Sequence, residues 1–325
     1  LQTVDQEMQQ YVPIQSLGAG SQGEAILCRA PSGLVVIKKI KIDYEHRRAL
    51  ENELKILGQL NHPNLIRLLG HFYSSQHLNI VLEYADYGNL ESQIKARKAP
   101  FPANVVLKMA FQMLQALKQL HLQRIVHRDV KPENILLQKN DQQITFKLCD
   151  FGVSKQTDQK CDTMIGTPYY LSPQICRGAE YSEKTDVWSL GVVVYRMSCF
   201  KHAFYADSML EIFQKICQGR FQKVQEPEIQ QILELMLVVS EEKRSSVQQL
   251  LNLKIFDQFK QIAAPKLPVI AKQIALVPKQ KQIPIIKNLS EEEIVQNSLN
   301  AMKSRWVHES RTNSDVNEIM NIIMK

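Results

Sequence analysis

The sequence predicts an α+β fold in two lobes: a small strand-rich lobe with one main helix over residues 11–85, and a larger, mostly helical lobe over 86–259. Three observations predict it. Short alternating or wholly apolar runs dominate as far as Tyr84. From Leu90 onward the apolar period lengthens to that of helices. Between the two regimes lies the short join ADYG at 85–88.

In chain order, YVPIQSLGAG at 11–20 enters a glycine turn, and AILCRA at 25–30 and LVVIKKI at 34–40 read as strands. RRALENELKILGQL at 47–60 has helical spacing, with Leu50, Leu54, Ile56 and Leu57 facing inward, and HPN at 62–64 stops it. LIRLLGHF at 65–72 and LNIVLEY at 78–84 follow as two more strands. The second lobe opens with long helical runs at 105–121 and 186–198, then shorter ones at 207–217 and 228–239.

Composition bounds the reading. A 325-residue chain with 44% apolar residues holds one large or two moderate domains. No apolar run approaches the roughly 18–20 residues that cross a bilayer, so no membrane span is expected. The opening LQTVDQEMQQ has neither a basic patch nor an apolar core, so a secretory signal is not expected, and its first residue is not Met. The six cysteines are scattered without a CxxC pair, which fits a reducing, cytoplasmic compartment and no structural metal. Cys149 and Cys161 are open to two readings, a reactive thiol or a small apolar filler.

The net charge of +7 is unevenly spread. Between Asp257 and Glu291 there is no acid, but there are lysines at 260, 266, 272, 279, 281 and 287. The main domain is close to neutral and gives little reason to expect nucleic acid as a partner. Residues 260–289 read as a basic linker broken by Pro265, Pro268, Pro278 and Pro284. It lies along a surface groove or serves as a polar spacer. Residues 290–325 read as a helical tail, with Ser290 as N-cap, Glu293 reaching back, and Leu289 against Ile294. Its apolar stripe of Ile294, Val295, Leu299, Met302 and Trp306 must bury against something, in cis or in a second molecule.

Four motifs carry chemistry: LGAGSQGEA at 17–25, VVIKK at 35–39, HRDVKPENILL at 127–137 and DFG at 150–152. Gly18, Gly20 and Gly23 let the backbone approach phosphate oxygens and present N–H groups to them. Lys38 is placed to hold phosphates and to pair with Glu53 of the helix. Asp129 suits a base that receives a hydroxyl proton, and Lys131 can neutralise a moving phosphoryl group. Asn134 and Asp150 offer oxygens to magnesium. Each motif is weak alone, but their order and spacing together supply what phosphoryl transfer from ATP with Mg2+ needs.

On these residues the stretch from 11 to about 259 resembles a eukaryotic protein kinase domain. The resemblance implies Leu82 as gatekeeper, the backbones of Glu83 and Ala85 against adenine, and Leu17 and Leu136 among the nucleotide contacts. It implies a spine of Leu57, Leu68, His127 and Phe151 anchored by Asp186. Ala25 and Val36 stand where the family usually has valine and alanine, an exchange that keeps the volume over one adenine face. Gln174 in SPQ at 172–174 stands where the family has a glutamate paired with an arginine, here Arg244. The resemblance therefore implies a weaker anchor for the activation segment. Lys131 and Thr167 of GTPYYLSP imply serine/threonine rather than tyrosine substrates. Thr163 lies where an activating phosphate is usual, within reach of Arg128.

GTPYYLSPQI and FKHAFYADSM at 200–209 are similar to segments of the NIMA-related kinases, whereas KPEN at 131–134 departs from their pattern. That resemblance implies work at microtubules, centrosomes or cilia, with the basic segment 260–287 touching an acidic protein surface. The rival expectation is a signalling scaffold that keeps a nucleotide-binding fold and recruits partners through the tail. A small-molecule kinase is disfavoured by the GTPYYLSP segment.

Overall fold

The computed structural model describes residues 10–20, 23–41, 51, 54–55, 57–74, 77–140, 143–150 and 168–260. The first lobe is a five-stranded antiparallel sheet in the order β1-β2-β3-β5-β4. Its strands are β1 Val12–Gly20, β2 Gly23–Ala30, β3 Gly33–Lys41, β4 Leu68–Ser74 and β5 His77–Glu83. β1 is an edge strand, which is why it tolerates Pro13.

The pleat sorts this sheet into two faces. Cys28, Val35, Ile37 and Val81 bury together with Phe72, on which the Tyr11 ring stacks at 5.6 Å. The opposite face carries Ala25, Val36, Lys38, Ile80 and Leu82. Its register sets Ala25 against Lys38, Lys38 against Ile80, and Val36 against Leu82. Leu54, a helical residue, packs on this side with Leu78 and Ile80. Leu54 and Leu57 are buried as expected, while Leu50, Ile56 and Glu53 lie outside the described residues.

The strand expected from residue 65 begins at Leu68. Leu65 instead bridges Leu148 in parallel, and the Ile66 N–H donates to the Leu148 carbonyl at 2.9 Å. These residues are claimed by the second lobe, so the first sheet cannot use them.

The second lobe contains α1 Leu90–Ala96, α2 Ala103–Leu122, the hairpin β6 Ile135–Asn140 and β7 Gln143–Leu148, and α3 Pro173–Cys176. There follow α4 Lys184–Cys199, α5 Met209–Gln218, α6 Pro227–Met236, α7 Val247–Leu251 and α8 Asp257–Lys260. α4 is apolar almost all round because it is the central helix: Val187, Trp188, Leu190, Val192 and Met197 are fully buried. α2 buries Met109, Met113, Leu114 and Leu117 in the same core. α6 stops short of the expected 239, with Leu237 already outside helical geometry. No helix among the described residues is long and apolar enough to cross a membrane. The expectations for 260–289 and 290–325 fall almost wholly outside the described residues.

Candidate active site

The glycine hairpin is built by β1 and β2, with Gly18 opposite Ala25 and Gly20 opposite Gly23. The glycines are needed for different reasons. Gly18 has φ +154° and nothing within 4 Å of where a Cβ would stand, so the space above it is open. A Cβ at Gly23 would come within 2.2 Å of the Lys39 carbonyl oxygen, so its close approach is to β3 rather than to a phosphate. Ala25 and Val36 lie diagonally on one sheet face, the geometry required for them to share an adenine surface. Leu17 of the same hairpin is largely exposed.

At the join, Glu83 ends β5, and Leu82 and Glu83 are half-buried beside the buried Ala85. The chain is then stitched to β6: the Tyr87 N–H donates to the Leu137 carbonyl at 3.0 Å and the Leu137 N–H to the Gly88 carbonyl at 2.8 Å. Between these anchors the Ala85 N–H has no partner among the described residues, which leaves it for a base edge. Leu136, half-buried in β6, lies opposite Lys147 of β7 and forms the floor.

The loop that begins at His127 is held from beneath by Asp186 in the first turn of α4. Its carboxylate is fully buried and accepts from the backbone N–H groups of His127 at 2.9 Å and Arg128 at 2.8 Å, and from His121 Nε2 at 2.9 Å. Two consecutive N–H groups aimed at one carboxylate put Arg128 at φ +66°. The loop thereby presents Asp129, whose Oδ2 accepts from Lys131 Nζ at 2.9 Å and from Asn134 Nδ2 at 3.1 Å. Asn134 Nδ2 also donates to the Asp129 carbonyl at 2.9 Å, so the amide's donor end is committed and its Oδ1 is left as a hard oxygen ligand.

Lys38 reaches from β3 to ion-pair with Asp150. Asp150 has φ +63°, left-handed like Arg128. Glu53, the other expected partner of Lys38, lies outside the described residues, as do Phe151, Cys161, Thr163 and Thr167. His127 links loop and turn by donating through Nε2 to the Cys149 carbonyl at 3.0 Å. Burial, reinforced by Asp150, pushes the half-buried Cys149 thiol up to about 12, which favours the reading of a small apolar filler over that of a reactive thiol.

Gln174 does more than replace a lost ion pair. Its Oε1 accepts from Arg244 Nη2 at 2.8 Å, and its Nε2 donates to the Val239 carbonyl at 2.8 Å. Arg244, 1% exposed, also donates to the carbonyls of Val238 and Lys184, both at 2.9 Å, and lies over the Trp188 ring. The anchor of the segment after residue 168 is therefore intact.

The sequence reading missed three contributors. Arg196 of α4 donates to Glu91 of α1 at 2.8 Å across 105 residues and also contacts the His202 ring. That ring stacks on Tyr169 at 3.9 Å. Lys147 pairs with Glu83 at 2.9 Å. No local signal marks any of these pairs, since each partner is ordinary in its own segment.

Two imidazoles make the fold acid-sensitive. Burial and then Lys147 lower His62 to about 4, and burial and then Arg196 lower His202 to about 4. An unfolded imidazole takes its proton near 6.5, so between about 6.5 and 4 the unfolded state holds more protons and stability falls as pH falls. The expected result is a Tm that drops through this window, less steeply in a His62→Gln/His202→Gln variant. Parallel curves would exclude these groups.

Residues 11–256 match the family described as protein kinase domain. The chain is 35% identical over 255 residues to serine/threonine-protein kinase Nek8 of Danio rerio, covering 75% of this chain and 36% of that protein. It is 34% identical over 265 residues to serine/threonine-protein kinase nekl-2 of Caenorhabditis elegans, covering 75% and 74%. It is 38% identical over 226 residues to Nek1 of Mus musculus, covering 67% and 18%. The matched region is thus about a third of the Nek8 length and less of Nek1. Among solved structures, Rad53 1-466 in complex with AMP-PNP matches with a TM-score of 0.66 at 26% identity, over 76% of this chain and 65% of that one.

Proposed function

Because the chain belongs to the protein kinase family, with Nek kinases among its relatives, we propose that it transfers the γ-phosphoryl group of magnesium-bound ATP to serine and threonine hydroxyls of proteins. One observation carries the reading: Asp129, Lys131 and Asn134 meet in one hydrogen-bonded cluster, while the Lys38–Asp150 pair joins the two lobes. Magnesium, bound by Asn134 Oδ1 and Asp150, would supply charge neutralisation at the phosphates. The protein's own part is positional. Gly18 leaves room for phosphates, Lys38 brings an ammonium to them, and the Ala25–Val36–Leu82 face with Ala85 and Leu136 encloses the base. Asp129 orients the hydroxyl and accepts its proton, and Lys131 faces the group in flight. Magnesium-dependent labelling of a serine peptide from γ-labelled ATP tests this.

Gln174, the departure from the family pattern that would favour the scaffold alternative, hydrogen-bonds through both ends of its amide, to Arg244 and to the Val239 carbonyl, and so lends that alternative little support. The site of action rests on the Nek likeness and on the lysines of 260–287: a cytoplasmic enzyme at the cytoskeleton or cilium, held to an acidic protein surface such as tubulin tails. The stripe of Leu299, Met302 and Trp306 docks on the large lobe or on a partner. The 325-residue chain is expected to co-sediment with microtubules and to be released by moderate salt, whereas 1–259 stays in solution. Equal sedimentation of both would remove the segment from the account.

A further inference from the structure

Glu83 and Lys147 form an ion pair that local sequence does not announce. The Lys147 ammonium donates to Glu83 Oε1 at 2.9 Å, and the two side chains are only 6% and 19% exposed. The same oxygen accepts from the Arg67 N–H at 2.8 Å, while the Glu83 N–H donates to the Arg67 carbonyl at 3.0 Å. Glu83 is therefore clamped through both its backbone and its carboxylate.

The place of this clamp gives it consequences. Residues 64–66 are sewn onto β7, with the Leu148 N–H on the Asn64 carbonyl at 2.8 Å and Asn64 Nδ2 on the Phe146 carbonyl at 2.8 Å. Lys147 lies in the same strand, directly opposite Leu136 and three residues before Asp150. On the other side, the join is fixed to β6 from Tyr87 onward. The backbone between, Glu83 to Ala85, spans two anchors, and Lys147 supplies the side-chain part of the first. Among the described residues it is the side-chain ion pair that ties this span to β7, the strand that lies against the floor residue Leu136 of β6 and leads into Asp150.

We propose that Lys147 is a positioning residue for the nucleotide: by holding the Glu83 carboxylate it sets the 83–85 backbone at the right height over Leu136. This rests on the site being a kinase nucleotide site. Removing the ammonium leaves a carboxylate under-compensated in a largely dry place, and that carboxylate relaxes by pulling the join out of register. Neutralising Glu83 as well removes the stress, because glutamine still accepts from the Arg67 N–H.

The test measures ATP affinity by calorimetry, the KM for ATP and for a peptide, kcat, and Tm, on the 325-residue wild-type chain, Lys147→Met, Glu83→Gln and the double variant. Lys147→Met is expected to raise the ATP Kd and KM about tenfold while kcat and peptide KM stay within about threefold. The double variant is expected to return the ATP KM to within about threefold of wild type, a non-additive cycle. An unchanged ATP KM, or equal losses in both KM values and kcat, or strict additivity, overturns the proposal. If Lys147→Met does not fold, Glu83→Gln decides, because a neutral amide leaves the Lys147 ammonium, 6% exposed, without its counter-charge: an ATP KM raised severalfold supports the proposal and a wild-type value overturns it. Failure of wild-type protein to bind ATP at all is a different result, which overturns the kinase reading itself.

Discussion

Asp129→Asn is expected to lower phosphoryl transfer by about 10²–10⁴-fold, with ATP affinity and fold retained. Asparagine keeps the shape of the side chain but cannot receive a proton. Its amide would also set a new donor group among Lys131 Nζ and Asn134 Nδ2, both of which now donate to Asp129 Oδ2. The cluster therefore loses its base and its internal order together. The loop itself should persist, because Asp186 holds it through the N–H groups of His127 and Arg128 and not through the Asp129 side chain. Turnover with saturating peptide, set beside an ATP titration and a melting curve, checks this. Turnover near wild type, after exclusion of contaminating kinases, would show that Asp129 is not the base.

Arg244→Met is expected to be the most damaging single change to stability, at about 3–5 kcal/mol. The guanidinium is 1% exposed and serves four acceptors: Gln174 Oε1 and the carbonyls of Val238, Lys184 and, at 3.4 Å, Val239. Methionine fills part of the volume but leaves the first three of these oxygens buried and unpaired. Gln174→Glu, by contrast, is expected to change stability by less than about 1 kcal/mol. It gains a charge opposite Arg244 but loses the Nε2 donor and turns an acidic oxygen toward the Val239 carbonyl. Denaturant unfolding of both variants separates them. A large gain from Gln174→Glu would mean that the glutamine is a defect rather than a satisfied replacement.

Gln174 also shows where sequence reasoning stops. From the sequence it is a missing charge that can still accept a hydrogen bond from Arg244, and it predicts a weaker anchor. Only the fold shows that an amide with a donor and an acceptor end fits between Arg244 and the Val239 carbonyl, where a carboxylate would satisfy one side only. The residues of the candidate site could be picked out because they sit in short contiguous motifs: Gly18, Lys38, Asp129, Asn134 and Asp150 each come with neighbours that fix their geometry. The five small-lobe strands and the longer large-lobe helices were legible from period alone, to within a few residues at their ends, whereas the order of the strands in the sheet was not. Glu83–Lys147 and Glu91–Arg196 were not legible, since each pair is made by tertiary structure between segments with ordinary local patterns. The start of β4 at Leu68 was misplaced for the same reason: residues 65 and 66 have strand-like side chains but belong to β7's hydrogen bonds.

The central claim is that Lys38, Asp129, Asn134 and Asp150 form a working phosphoryl-transfer site. Its most direct test is the rate at which purified protein moves the γ-phosphoryl group from ATP to a serine peptide, with and without magnesium, beside Lys38→Met. Transfer to the serine hydroxyl that requires magnesium and falls by at least about 10²-fold in Lys38→Met is the result predicted. Tight ATP binding with no transfer under any of these conditions would contradict it and leave a scaffold in its place.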